Sequence, residues 1–262
     1  MNTQEQLLYM IQYLIHEDTK YSNLEIPDSM AEQKKLLRSL MNIRPPRPVS
    51  EEFIEVQDGY LGSELKLKRP VTLAELSPVQ EGIYLWQGDI TRLQADAVVN
   101  AANSALLGCF IPCHGCIDNA IHSAAGVQLR LECRRIMEAQ GHPEAVGTSK
   151  ITKAYNLPSR YVLHTVGPVI HGEPDTEDCA ALASCYRSCM ELAAAYRLDS
   201  IAFCCISTGE FHFPNETAAR IAVGTVKKYL QENNSETEVI FNVYKDRDYE
   251  IYRHILSGIL SI

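Results

Sequence analysis

No stretch of this sequence stays apolar for the roughly 20 residues that a bilayer-spanning helix needs, so a membrane-spanning reading is set aside. Basic charge is also short: 24 Lys and Arg stand against 33 Asp and Glu, a formal net charge of -9. That balance argues against a protein that grips nucleic acid through its phosphates, because such work needs a basic surface. A phosphate-bearing ligand would instead be held by backbone N–H groups and helix N-termini. The opening Met1-Asn2-Thr3-Gln4-Glu5 lacks the basic stretch of a secretory leader, and the apolar residues after it are interrupted by polar ones. Internal repeats and low-complexity tracts are absent too.

What the chain has in quantity is cysteine, nine in all, an odd number. With no leader expected, the reading is a cytoplasmic protein with reduced thiols, which favours metal binding or plain burial over disulfides. The 46% hydrophobic and 22% charged shares are ordinary for a globular protein. At 262 residues the chain predicts one main domain with an extension, or two unequal domains.

Two amphipathic helices are expected before residue 43, from Leu7, Leu8, Ile11, Leu14 and Ile15 and then Leu36, Leu37, Leu40 and Met41. Ser29 and Glu32 fit a capping box opening the second. The Arg44-Pro45-Pro46-Arg47-Pro48 segment ends helical structure, and the chain up to Pro78 reads as mixed and turn-rich. Residues 1–80 are thus expected to form a helical extension packed on a main domain at 81–262, with no chemistry visible in it.

From Gly82 short apolar runs alternate with helical stretches. Strands are expected at Ile83–Trp86, Ala97–Asn100, Ser149–Ala154, Tyr161–Val166, Ile201–Ile206 and Val239–Val243. Helices are expected at Asp118–Gln140 with a break near Gly126, then at Thr176–Tyr196, Pro214–Glu232 and Arg247–Leu260. This alternation means a three-layer α/β sandwich with a largely parallel sheet, whose ligands sit beyond the carboxyl ends of the strands.

The chain is organised around Val98–Gly126, VVNAANSALLGCFIPCHGCIDNAIHSAAG. A strand tip, a loop of soft ligands and a helix start in succession describe an active-site mouth. Cys109-x4-His114-x-Cys116 offers two thiolates and an imidazole, the donor set zinc prefers, and three protein ligands leave a position for water or substrate. Cys113 as a fourth would close the site, but adjacent side chains in extended backbone point apart, so Cys109, His114 and Cys116 are preferred. Reduced structural cysteines are the plain alternative.

Elsewhere the local signals are ambiguous. Asp89, in Gly88-Asp89-Ile90-Thr91, fits a helix cap or an acceptor for a ligand's amine. Ser207-Thr208-Gly209-Glu210-Phe211-His212-Phe213-Pro214 fits a plain strand-to-helix turn or a diphosphate cradle. His164 reads as a core histidine, and Cys179, Cys185, Cys189, Cys204 and Cys205 as small core residues.

The order GDIT, VVNAANSALLG, Asp118 ahead of AIHSAAG, then ISTG-x-F-x-FP resembles the macrodomains, which bind ADP-ribose. The resemblance covers roughly residues 80–262. The insertion between Gly108 and Asp118, where the usual family member has a run of glycines, together with the N-terminal extension looks like the zinc-dependent bacterial class. Those remove mono-ADP-ribose from modified proteins. The resemblance implies one zinc per chain, Asp89 on the adenine amine with Ile90 beside it, and Tyr244 over the adenine. It implies Asn103 at the distal ribose and the backbone of Ser207, Thr208, Gly209, Glu210 and Phe211 around the diphosphate, with Phe211 against the distal ribose. Asp118 aligns with an acidic residue near the scissile bond, which with Asn103 makes the expected catalytic pair, and His122 follows one helical turn later. His212 stands where many relatives have glycine. A lipoyl-carrier protein modified by a sirtuin-type transferase is the family-level expectation for the target. Two other functions fit the same pocket, a non-catalytic ADP-ribose reader with a structural zinc and an O-acetyl-ADP-ribose deacetylase.

Overall fold

The N-terminal helices begin where capping residues place them. In the computed structural model, which describes residues 1–259, helix α1 (Thr3–His16) opens on Asn2, whose side chain accepts from the Glu5 N–H while Glu5 returns a bond to the Asn2 N–H. Helix α2 (Met30–Ile43) opens on Ser29, which accepts from the Glu32 N–H, and stops at Arg44 because Pro45 forbids a helical predecessor.

A third helix, α3 (Glu51–Lys68), occupies the segment expected to be turn-rich. Ser50 caps it through the Phe53 N–H, two glutamates fill its first turn, and Phe53, Val56, Gln57 and Tyr60 bury one side. Gly59 and Gly62 weaken the helical signal and hid it. The first has a packing reason: a Cβ on Gly59 would sit 2.6 Å from Nε2 of Gln6, so glycine lets α1 and α3 approach closely. The three helices share a core of Met10, Ile11, Leu37, Leu40, Phe53 and their neighbours, which Val127 enters from the rest of the chain.

The remaining chain builds the sheet. Two short strands, β1 (Val71–Thr72) and β4 (Leu93–Gln94), pair with each other. The main sheet has seven strands in the order β2 (Pro78–Gln80), β3 (Ile83–Gln87), β9 (Glu238–Val243), β8 (Ser200–Phe203), β5 (Ala97–Ala101), β7 (Tyr161–Thr165) and β6 (Ser149–Lys153). The inner five run parallel and both edge strands antiparallel. Continuous apolar runs such as Ala97-Val98-Val99 are buried because helices cover both faces. Helices α4 (Ile117–Ala125) and α5 (Val127–Gln140) form one layer, and α6 (Thr176–Ala195), α7 (Asn215–Glu232) and α8 (Asp246–Leu256) the other. The three-layer α/β/α reading holds.

Gly126, with φ of 94°, separates α4 from α5 where the break was expected. Strand β8 is shorter than expected, because Cys204–Ile206 leave the ladder to start the next loop. The short β1, β2 and β4 were not anticipated, and the expected helix end at Leu260 lies outside the described residues. Among the described residues no helix is long and apolar enough to cross a membrane.

If α3 is part of a core, Phe53→Ala should cost about 3–5 kcal/mol, the scale for truncating a fully buried phenylalanine. Urea unfolding measures it. A loss under about 0.5 kcal/mol, typical of a surface site, would return residues 51–68 to a loosely attached segment.

Candidate functional site

The carboxyl ends of β3, β5, β8 and β9 open into one cleft of about 950 Å³. Every residue singled out from the sequence as catalytic, metal-binding or ligand-binding lines this cleft. So do residues of the N-terminal helices, among them Arg38, Tyr60, Leu65 and Lys68. No chemistry was visible in residues 1–80 from the sequence, but α2 and α3 form a wall of the cleft.

The ligand-bearing loop follows Gly108, whose φ of 79° suits glycine and whose absent Cβ would lie 2.9 Å from Cγ of His122. Beyond it, Cys109, His114 and Cys116 bring their donor atoms within 4.8 Å of one another. The buried Nδ1 of His114 has no hydrogen-bond partner, and its Nε2 lies 3.5 Å from the Glu210 carboxylate. Two sulfurs and one imidazole nitrogen gathered this closely fit zinc, with a coordination position to spare. Cys113 is occupied elsewhere: its Sγ lies 3.2 Å from Ser39 Oγ and 3.4 Å from the Lys35 carbonyl. The backbone there is left-handed, φ 52°, not the extended form that the sequence argument assumed.

Asp118 sits at the start of α4, but Cys116 is the helix cap, accepting from the Asn119 N–H. The Asp118 carboxylate is buried and accepts from Asn100 at 2.8 Å and from Asn103 at 3.4 Å. Burial raises its pKa to about 6, against the Asn100 hydrogen bond and the charge of Arg130. His122 Nε2 lies 3.5 Å away, and burial drives that imidazole well below its ordinary pKa, so the pair is a carboxyl group beside a neutral ring.

Asn100 was seen in the sequence only as a polar strand end. Its amide nitrogen also meets Nδ1 of His164 at 3.1 Å, directly across the β5–β7 ladder. With Nδ1 accepting, the His164 proton is on Nε2, which donates to Thr152 Oγ1 at 2.9 Å. His122, Cys133 and His164 form a second, wholly buried group with metal-ligand spacing. Both nitrogens of His164 already have partners, which fits the core-histidine reading.

At the other end of the cleft Asp89 serves as cap and potential ligand group together. Its Oδ1 accepts from the Thr91 N–H and hydroxyl, and its Oδ2 lies 3.3 Å from Lys68 Nζ. Burial pushes its pKa up, but Thr91 and the Lys68 charge outweigh this and hold it below the usual carboxylate value. Ile90 is buried beneath it, and Tyr244, after β9, is 75% exposed and free to lie over a ligand. Between these ends, Ser207–Phe213 turns back on itself, the Phe213 N–H donating to the Ser207 carbonyl. Among the described residues the N–H groups of Thr208, Gly209, Glu210 and Phe211 have no backbone partner. Ser207 and His212 are left-handed, φ 63° and 57°, so His212 adopts the conformation that a glycine takes easily.

Residues 99–222 match the Macro domain family. The chain is 51% identical over 261 residues to a protein-ADP-ribose hydrolase of Treponema medium, spanning 98% of this chain and 100% of that one. This chain belongs to the macrodomain family. A protein-ADP-ribose hydrolase of Staphylococcus aureus (strain MSSA476) is 48% identical, over 93% of each chain. Among solved structures, the Trypanosoma brucei macrodomain in complex with ADP-ribose superposes with a TM-score of 0.64 at 34% identity, covering 82% of this chain and 93% of that one. Sequence motifs said nothing of Arg38 and Lys68 because their contacts with the cleft depend on where α2 and α3 dock.

Burial lowers the His164 pKa to about 3, so folding keeps this ring neutral where the unfolded chain protonates it, below about 6.5. The unfolded state then binds more protons at this ring, and the contribution of His164 to stability falls as pH drops from about 6.5 towards 3. The slope is up to about 1.4 kcal/mol per pH unit for each such histidine. Urea unfolding at stepped pH should give His164→Gln a shallower fall than the wild type. Parallel curves would show that His164 is protonated in the fold.

Proposed function

We propose that this macrodomain is a hydrolase that removes mono-ADP-ribose from modified protein side chains, with one zinc held by Cys109, His114 and Cys116. One observation carries the reading: a buried carboxylate, three gathered soft ligands and a loop of free N–H groups face a single cleft. The relatives named above, hydrolases matching almost the full chain, support it. The target class stays a family-level proposal, a lipoyl-carrier protein modified by a sirtuin-type transferase. A reducing, cytoplasmic setting suits the nine free cysteines.

In this reading the adenine amine donates to Asp89 with Ile90 below it, and Tyr244 covers the ring. The N–H groups of residues 208–211 take the diphosphate oxygens, and Phe211 packs on the distal ribose, which Asn103 orients. The bond to be cut joins the anomeric carbon to the side chain, and its departure leaves an oxocarbenium-like sugar. Asp118 would orient the attacking water and accept its proton, its carboxylate held by Asn100 and Asn103. Zinc on the three ligands would supply Lewis acidity to a water, a ribose hydroxyl or an ester oxygen.

Two measurements test the reading. Asp89→Ala should weaken ADP-ribose binding by roughly 1.5–3 kcal/mol by calorimetry, the scale for a hydrogen bond to a charged group, and leave the zinc content intact. In single-turnover release of ADP-ribose, Asp118→Asn should be slower by about 10²–10⁴, because an amide cannot take a proton at neutral pH. Chelator-stripped protein should bind ADP-ribose yet release little. A wild-type rate for Asp118→Asn would remove that carboxylate from the chemistry, and no release by the wild type itself would leave a non-catalytic reader of ADP-ribose.

A further inference from the structure

We propose that helix α2, through Arg38 and Asn42, positions the ligand-bearing loop, so that the N-terminal extension is a working part of the metal site. The proposal rests on the zinc reading above and concerns residues outside the three ligands. The loop from Cys109 to Cys116 has no helix or strand of its own. Its order must come from bonds to its surroundings, and those bonds converge on α2.

Arg38 donates from Nη2 to the His114 carbonyl at 3.1 Å and to Oδ1 of Asn119 at 2.8 Å, and from Nε to the same oxygen at 3.2 Å. Asn119 is wholly buried; its amide nitrogen donates to the Ile111 carbonyl and its backbone N–H to Cys116 Sγ. Arg38 and Asn119 thus bracket the loop, one bond to His114, one to Ile111 and one to Cys116. Asn42, also buried, accepts from the Cys113 N–H at 2.9 Å and donates to Ser123 on α4 at 2.9 Å. From the opposite side Arg130 donates to the carbonyls of Met41, Asn42 and Arg44 and lies 4.4 Å from the ring of Phe110. The same guanidinium ties the end of α2 to the start of the loop.

None of these groups is a ligand, yet two of the three ligands, His114 and Cys116, hang on this framework. Outer partners of this kind set the orientation of metal ligands, and their loss typically costs about 10–100-fold in metal affinity. Arg38 is suited to the task because its rigid planar fork holds two acceptors in one fixed geometry, whereas a lysine ammonium would reach them only from a flexible stem.

The test uses the full chain. Zinc affinity is measured by competition with a chromophoric chelator, and ligand geometry by the visible absorption of the cobalt-substituted protein. Arg38→Gln should bind zinc about 10–100-fold more weakly and give an altered cobalt spectrum, with Arg38→Lys falling between it and the wild type. Val226→Ala destabilises the fold from α7, in the other helical layer, without touching α2 or the loop, and should keep wild-type zinc affinity. Equal affinity in Arg38→Gln and wild type, or an equal loss in Val226→Ala, would overturn the proposal. Amide hydrogen exchange of residues 111–116 in metal-free protein keeps the two readings apart. Faster exchange in Arg38→Gln beside a wild type that takes no zinc refutes the zinc reading and leaves the loop positioning standing. Unchanged exchange refutes the positioning itself.

Discussion

A carboxylate with almost no access to water has to be compensated by its neighbours, and in this fold that group is Asp118. Its partner Asn100 is shared with His164, and His164 is held in turn by Thr152. The polar chain therefore runs from the start of α4 through β5 and β7 to β6. Such a network fixes register, since a slip of one residue would set Asn100 against Leu163 or Thr165 and leave His164 unpaired in the core. The carboxylate that the proposed reaction needs and the alignment of three strands are one constraint. That also accounts for Asn100 and His164 as fully buried polar side chains facing each other across β5 and β7.

The second dependence is of loop on scaffold. Cys109–Cys116 concentrates chemically useful side chains in a segment with little intrinsic order, and ordering each residue opposes folding by about 1–2 kcal/mol of backbone entropy. The fold offsets this with bonds from α2 and α4, and Cys116 itself serves as cap of α4. One sulfur thus ends the loop, starts a helix and faces the candidate metal position. The arrangement also explains why Cys113, sequence neighbour of a ligand, is turned towards Ser39 and Lys35: its left-handed backbone hands the side chain to α2.

What was legible in the sequence follows from how local the signals are. Buried strands announced themselves by apolar runs, and α4 and α5 were separated by Gly126, so the three-layer architecture could be read directly. The grouping of Cys109, His114 and Cys116 was visible because all three lie within one short loop. Helix α3 was not, because Gly59 and Gly62 dilute its pattern while its stability comes from packing on α1, a tertiary effect. Arg38, Lys68 and the Asn100–His164 link were illegible for a related reason: each acts across a separation of at least 21 residues. Asp89 shows the limit from the other side, since the cap and ligand-acceptor readings looked exclusive, yet Oδ1 alone makes the cap to Thr91 while Oδ2 faces Lys68.

An acidic chain that is proposed to bind a diphosphate can do so through backbone rather than through a dense patch of cations, and residues 207–213 have the geometry for it. Left-handed backbone at Ser207 and His212 curls the segment so that its own carbonyls accept from His212 and Phe213, while the N–H groups between are left for a ligand. Helix α7 begins directly afterwards, behind Pro214, and adds the positive end of its dipole. Fixed backbone donors hold an anion at a defined place, with no long side chain to order and no mobile charge to screen. That rigidity matters most for the proposed reaction, in which the distal ribose would meet Asp118. An anion pinned by backbone after β8 would set the distance that the sugar can reach, and by the proposed positioning the helices of the N-terminal extension would set where the ligand-bearing loop waits for it.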